Sequence, residues 1–229
     1  MMKILLGTTL VLTVLPAFVR ADTPTEPFKG REGIEWVTIT IPEPEKKDLP
    51  RVLLIGDSIT SNYYDAAAKD LQGKAYVVRL ATSFFVTDPM LLNQVKSMLA
   101  AMKFDVIQFN NGLHGWSHSE DEYAQGLPVL LQTIRDGAPE AKLIWANSTP
   151  MSQSNHFDQP DSRMARVKAR NQIAQDLMTK EGVPVDDLFT LMESHADLHV
   201  PDGTHWTQAG EDLQAAQVAD QVAKLFPAK

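Results

Sequence analysis

The sequence predicts a three-layer α/β/α sandwich around a central, mostly parallel five-stranded sheet, and three observations predict it. Short apolar runs recur at 51–55, 75–80, 104–109, 142–147 and 183–186. Longer amphipathic stretches separate them, which is the pattern of βαβ units. The residues able to do chemistry fall just after these runs, outside the carboxyl ends of the strands, where open α/β sheets bind ligands.

The first residues read as a secretory signal. Met1-Met2-Lys3 is a short positive start, 4–19 is apolar, and Val19-Arg20-Ala21 offers a cleavage site after Ala21. An uncleaved anchor is the competing reading, but the sixteen apolar residues fall short of the roughly 20 that a membrane-spanning helix needs. The expected protein is periplasmic or secreted, with no stable membrane anchor. Residues 22–49 are rich in proline and charge, interrupted by the alternating stretch 35–41. They read as a flexible leader, one edge strand and a Pro-Glu-Pro linker, ahead of a single domain from 50 to 229.

The first run, Val52-Leu53-Leu54-Ile55, leads into Gly56-Asp57-Ser58. A serine here closes a buried strand and opens the next helix, so its hydroxyl faces the crevice and its own N–H is free to hold an anion. Leu91, Val95, Met98, Leu99 and Met102 then make one apolar helical stripe, with the methionines as core filling. The third run ends in Asn110-Asn111-Gly112-Leu113-His114. Tyr123, Leu127, Leu130, Leu131 and Ile134 form a second stripe, in which Gly126 and Pro128 predict a kinked or late-starting helix. After the fifth run comes Pro201-Asp202-Gly203-Thr204-His205-Trp206, and a last helix over 208–225 follows it directly.

Alone, Gly-Asp-Ser is a helix-capping turn and Asp-x-x-His a surface loop or half of a metal site. Together they supply a nucleophile, an acid and a base. A tight turn at Gly203 brings Asp202 to one ring nitrogen of His205 and leaves the other for Ser58. A zinc reading rests on His114 and His118, flanking Trp116, and on the four-residue spacing of His195 and His199. It lacks the glutamate of His-Glu-x-x-His, because position 196 is alanine. His114 either lines a substrate pocket or satisfies backbone groups beside it. Asn171 and Asp187 read as loop-fixing residues.

The formal net charge is −8 over 229 residues, and removing the signal with Lys3 and Arg20 makes it more negative. No basic cluster remains to follow a phosphate backbone, so a nucleic-acid partner is not expected. The chain has no cysteine. At this length one core can form without disulfides.

On Gly56-Asp57-Ser58 and Asp202-Gly203-Thr204-His205, the chain resembles the SGNH/GDSL hydrolase superfamily of esterases and lipases over residues 50 to 225. The resemblance implies a flavodoxin-like sheet, Ser58 as nucleophile, Asp202 and His205 as acid and base, and an asparagine after the third strand in the oxyanion hole. Two blocks depart from the family pattern. The usual Gly-x-Asn-Asp is replaced by residues 110–114, where Asn110, first off the strand, takes the asparagine's role. The second block lacks its glycine, so the backbone N–H of Ser83 or its neighbour stands in for it. Ser58 N–H is the remaining donor. No metal or organic cofactor is implied. The expected function is a serine esterase removing a short acyl group, acetyl, from a small or glycan ester. A secreted lysophospholipase or thioesterase, and a non-catalytic glycan-binding relic of the fold, are the alternatives.

Overall fold

A computed structural model describes residues 28–226. The expected signal and its cleavage site lie outside the described residues. The order is β1 (Val37–Thr40), β2 (Arg51–Gly56), α1 (Ser58–Asp70), β3 (Tyr76–Thr82), α2 (Pro89–Ala101), β4 (Val106–Phe109), α3 (Glu120–Gly137), β5 (Lys142–Ala146), β6 (Ser152–Gln153), β7 (His156–Pro160), α4 (Met164–Glu181), β8 (Val185–Asp186), α5 (Leu188–Glu193) and α6 (Gln208–Ala223).

The main sheet runs β1-β3-β2-β4-β5-β8, with β1 antiparallel to β3 and every other pair parallel. The five apolar runs are its parallel strands, and the strand of the leader adds a sixth at the edge. From β2 the chain first moves to β3 on one side and then crosses to β4 on the other. The carboxyl ends of β2 and β4 therefore flank the point where strand order reverses and a crevice opens.

Both faces of the sheet are covered, which is why its strands read as unbroken apolar runs rather than alternating ones. Leu53 and Ile55 of β2 point to the face packed by α2, α3 and α4, where Leu91, Val95, Leu127, Leu130 and Met178 close the core. Val52 and Leu54 point to the other face, against Tyr63 and Ala67 of α1 and Ala215, Val218 and Val222 of α6.

Two expectations are corrected. Of the kinked or late-starting helix expected over 123–134, the late start is corrected: Ser119 accepts from Glu122 N–H while the Glu122 carboxylate accepts from Ser119 N–H, a capping box that starts α3 at Glu120. Pro128 sits within it, and Gly126 is a packing residue, since a Cβ there would lie 2.5 Å from Thr87 Cγ2. Residues 28–36, expected as a flexible leader, are held to the domain. Arg31 donates to both oxygens of Asp88 at 2.7 and 3.0 Å, and Trp36 N–H donates to Ser83 Oγ at 2.8 Å. Composition hid this, because each contact joins residues about fifty positions apart.

Candidate active site

Ser58 reaches the crevice because of how α1 begins. Asp57 is the N-cap, in extended conformation, and its Oδ1 accepts from Ile59 N–H at 3.0 Å. Ser58 is therefore the first helical residue, and its N–H has no acceptor within the helix. Asn171 and Asp187 hold loops, as expected. The Asn171 side chain binds both the N–H and the carbonyl of Ser148, at 2.9 Å each, and Asp187 caps α5 through Thr190 N–H.

On the far side of the sequence, 201–206 folds into a tight turn. Gly203 has φ +71, and a Cβ there would lie 2.1 Å from the carbonyl oxygen of Ser152, so conformation and space both demand glycine. The turn is braced by the hairpin β6–β7, which periodicity did not reveal because its strands are two and five residues long. Ser152 N–H donates to Gly203 O at 2.7 Å, and Asn155 N–H to Pro201 O at 2.9 Å.

These two pieces meet. Ser58 Oγ lies 2.8 Å from His205 Nε2, and His205 Nδ1 lies 2.7 Å from Asp202 Oδ2. An ionised carboxylate can only accept, so the ring proton belongs on Nδ1 and Nε2 accepts from the serine hydroxyl. Asp202 Oδ1 also accepts from the N–H groups of Thr204 and His205, at 2.7 and 2.9 Å. Partial burial pushes the Asp202 carboxyl up, but the hydrogen bonds from the His205 ring and from these two N–H groups outweigh it and hold the group below the ordinary aspartate range.

The serine and histidine open into a cavity of about 390 Å³ that Glu32, Leu113, His114 and Arg163 also line. A larger cavity, about 910 Å³, lies at the opposite edge of the sheet, around Phe104, Lys142 and Phe226. It contains none of the residues in the serine–histidine–aspartate chain.

The sequence profile of the GDSL-like Lipase/Acylhydrolase family matches residues 54–213, which hold both halves of this arrangement. This chain belongs to that family. It is a carboxylic ester hydrolase. Solved structures share its fold at low identity. A lipase/acylhydrolase from Enterococcus faecalis is 20% identical, with 79% of this chain and 99% of that one covered at a TM-score of 0.62. The aryl esterase of M. smegmatis is 17% identical, covering 77% and 100% at 0.64. A carbohydrate esterase family 3 protein from Talaromyces cellulolyticus is also 17% identical, covering 77% and 98% at 0.61. No curated protein matches the chain.

The groups expected as oxyanion donors differ in how far they are already hydrogen-bonded. Ser83 N–H already donates to Trp36 O at 3.2 Å, its hydroxyl donates to Glu35 Oε2, and the neighbouring Phe84 N–H donates to Thr82 Oγ1 at 3.2 Å. None of these is left for a substrate. Asn110 has both amide hydrogens engaged, on Ala146 O at 2.7 Å and Ser148 Oγ at 3.2 Å. Asn111 uses one, on Phe84 O at 2.9 Å, and keeps the other. Being first off the strand puts Asn110 in line with the sheet ladder, its N–H on Ile55 O; the next residue turns toward β3.

The histidines of the zinc alternative serve elsewhere. His118 stacks on Phe85 with ring centroids 4.5 Å apart, His199 stacks on Trp206 at 3.8 Å, and His195 precedes a short 3-10 turn, Ala196–Leu198. Among the described residues no group of three or more His, Asp or Glu forms a ligand set.

Two contributors were missed. Glu32 lies in the leader, outside the family match, and no local pattern marks it. Arg170 is fully buried and donates to the carbonyls of Gly112, His114 and Gly115 at 3.0, 2.7 and 3.2 Å, clamping the loop that lines the pocket. An arginine on the buried stripe of a helix was the available signal.

Proposed function

We propose that the protein is an exported serine esterase that removes an acetyl group from a carbohydrate hydroxyl. The observation that carries the serine mechanism is the hydrogen-bonded chain from Ser58 Oγ through His205 to Asp202. A serine hydroxyl is a weak nucleophile, so His205 takes its proton as Oγ attacks the ester carbonyl, and only the neutral imidazole can do so. Asp202 fixes the tautomer and stabilises the imidazolium. The tetrahedral intermediate collapses, the carbon–oxygen bond to the alcohol breaks, and His205 returns the proton to the departing oxygen. Water, activated by the same imidazole, then releases the carboxylate and restores Ser58.

Charge developing on the carbonyl oxygen needs donors in place beforehand. Ser58 N–H is one. The second is the remaining amide hydrogen of Asn111: His205 approaches from the β5 side, on a turn braced by β6–β7, so the hole belongs on the β3 side, where Asn111 sits against Phe84.

A short acyl group on a polar carrier is supported by the modest cavity and its charged lining. It is supported also by the fold shared with proteins named a carbohydrate esterase and an acetyl xylan esterase, the latter at 16% identity. Export is supported by the signal-like pattern of 1–21, and protein recovered outside the cytoplasm should begin at Asp22.

Two measurements test the reading. A fluorophosphonate should label wild type and not Ser58→Ala. A series of esters from acetyl to decanoyl should show kcat/KM highest at acetyl, with acetate released from an acetylated glycan. In a long apolar site each buried CH₂ would add about 0.8 kcal/mol, so a maximum at eight carbons or more, with no acetate from any glycan, sinks the carbohydrate reading in favour of a lysophospholipase or thioesterase.

A further inference from the structure

A second acid–imidazole pair stands in the same cavity as Ser58, and acyl transfer does not use it. His114 Nδ1 lies 3.0 and 3.1 Å from the two oxygens of Glu32, and Glu32 Oε1 also accepts from Gly115 N–H at 3.2 Å. Because the carboxylate accepts, the Nδ1 proton is fixed, and the tautomer this selects presents Nε2 as an acceptor. That nitrogen has no partner among the described residues and is not sealed from solvent. The ring itself is only 16% exposed and lines the cavity that holds Ser58 and His205.

The pair is built rather than incidental. Gly30 O accepts from Ser117 Oγ at 2.8 Å, Arg31 is clamped on the buried Asp88, and Glu32 N–H donates to Glu35 Oε1 at 2.7 Å. Trp36 meets the His114 ring edge-on at 6.0 Å. An acceptor pre-positioned in this way discriminates. A ligand hydroxyl satisfies it, while an alkyl group in the same place removes its water and returns nothing.

We propose that His114 Nε2 accepts a hydrogen bond from a hydroxyl on the alcohol half of the ester, next to the acylated oxygen. Glu32 is the positioning residue that holds its tautomer. The leader, outside the matched family region, thereby sets selectivity for polyol esters. This rests on the esterase reading of Ser58 and deepens it.

The test compares glyceryl monoacetate with propyl acetate, equal in acyl group and alcohol carbon count but differing in hydroxyls, using full-length wild type, His114→Phe, Glu32→Leu and Glu32→Gln. Wild type should prefer the glyceryl ester at least tenfold in kcat/KM. In His114→Phe and Glu32→Leu that preference should collapse toward one, mainly through KM, with melting temperatures kept near wild type. Glu32→Gln, which retains an acceptor for Nδ1–H, should keep most of it. A wild type without preference, or variants that lose both esters equally, overturns the proposal. Phenyl acetate in the same series reports separately on acyl transfer, and acetate release from glycans on the carbohydrate reading.

Discussion

The two acid–imidazole pairs of the cavity are alike in chemistry and opposite in origin. Asp202 and His205 are three residues apart, 2.7 Å in contact, in a turn with the acid 49% exposed. Glu32 and His114 are 82 residues apart, at 3.0 Å, and meet only because the leader runs back over the carboxyl edge of the sheet. A pair made by a turn can be read from its letters. A pair made by tertiary packing has no local signature, though its geometry is no poorer. Bond-making is proposed for the local pair, and the choice of what is bound for the assembled one.

The largest effects should fall on the local pair and its serine. Ser58→Ala and His205→Ala should each lower kcat by roughly five to six orders of magnitude, and Asp202→Ala by roughly four, because members of such a unit fail together. Single-turnover assays on purified variants check this. Substantial residual turnover in Ser58→Ala would break the comparison, since bond-making would then belong elsewhere.

Next in size is the oxyanion register. Asn111→Ala should cost about 10²–10³ in kcat with little change in KM. Asn110→Ala should cost less in kcat and more in stability, because its hydrogens tie β4 to the loop after β5. The reverse order in a side-by-side assay would restore Asn110 as the donor.

The turn itself is testable. Gly203→Ala forces a Cβ into the space held by Ser152 O on a left-handed backbone. The turn must shift, so fluorophosphonate labelling should slow at least tenfold, while the preference for glyceryl over propyl acetate survives. Loss of both together would show that the two pairs are not independent.

The smallest effect distinguishes an exposed carboxylate from a buried one. Burial pushes Asp186 up to about 6, against hydrogen bonds from Gln217 and Gln108 that pull it down. Between the ordinary aspartate value near 3.9 and this raised one, the folded state binds more protons than the unfolded. Folding stability contributed by Asp186 is therefore present at low pH and lost as pH rises through about 6, by roughly 3 kcal/mol at most. Asp202, held low, behaves oppositely. It stabilises above the ordinary carboxylate range and loses that only as pH falls through its depressed value. Lowering the pH from 7 to 5 should thus change the melting temperature of wild type more favourably than that of Asp186→Asn, measured by calorimetry. An identical response in both would show Asp186 to be ionised throughout.

How much was legible follows from distance along the chain. Five parallel strands could be read from short apolar runs, since burial on both faces leaves continuous hydrophobicity. The serine, histidine and aspartate that meet in the crevice could be named because each carries its own context: Ser58 in a strand-to-helix turn, Asp202 and His205 three apart with a glycine between. The short hairpin β6–β7 was not legible, because it is too brief to show a period. The start of α3 is encoded locally, in the Ser119-x-x-Glu122 spacing of a capping box, although Gly126 and Pro128 argue for a later one. That Ser83 N–H and the Asn110 amide are already hydrogen-bonded was not legible, because a residue type says which donors exist, not which are engaged.

By itself, then, the sequence determined the layered sheet and the serine, histidine and aspartate at its carboxyl edge, all encoded in periodicities and spacings of a few residues. Only the tertiary structure decided which amide hydrogens stay free, that Arg170 clamps the pocket loop, and that Glu32 reaches His114. Hydrogen bonds are allocated by three-dimensional proximity, and proximity across fifty or eighty residues is set by the packing of the whole domain rather than by any segment of it.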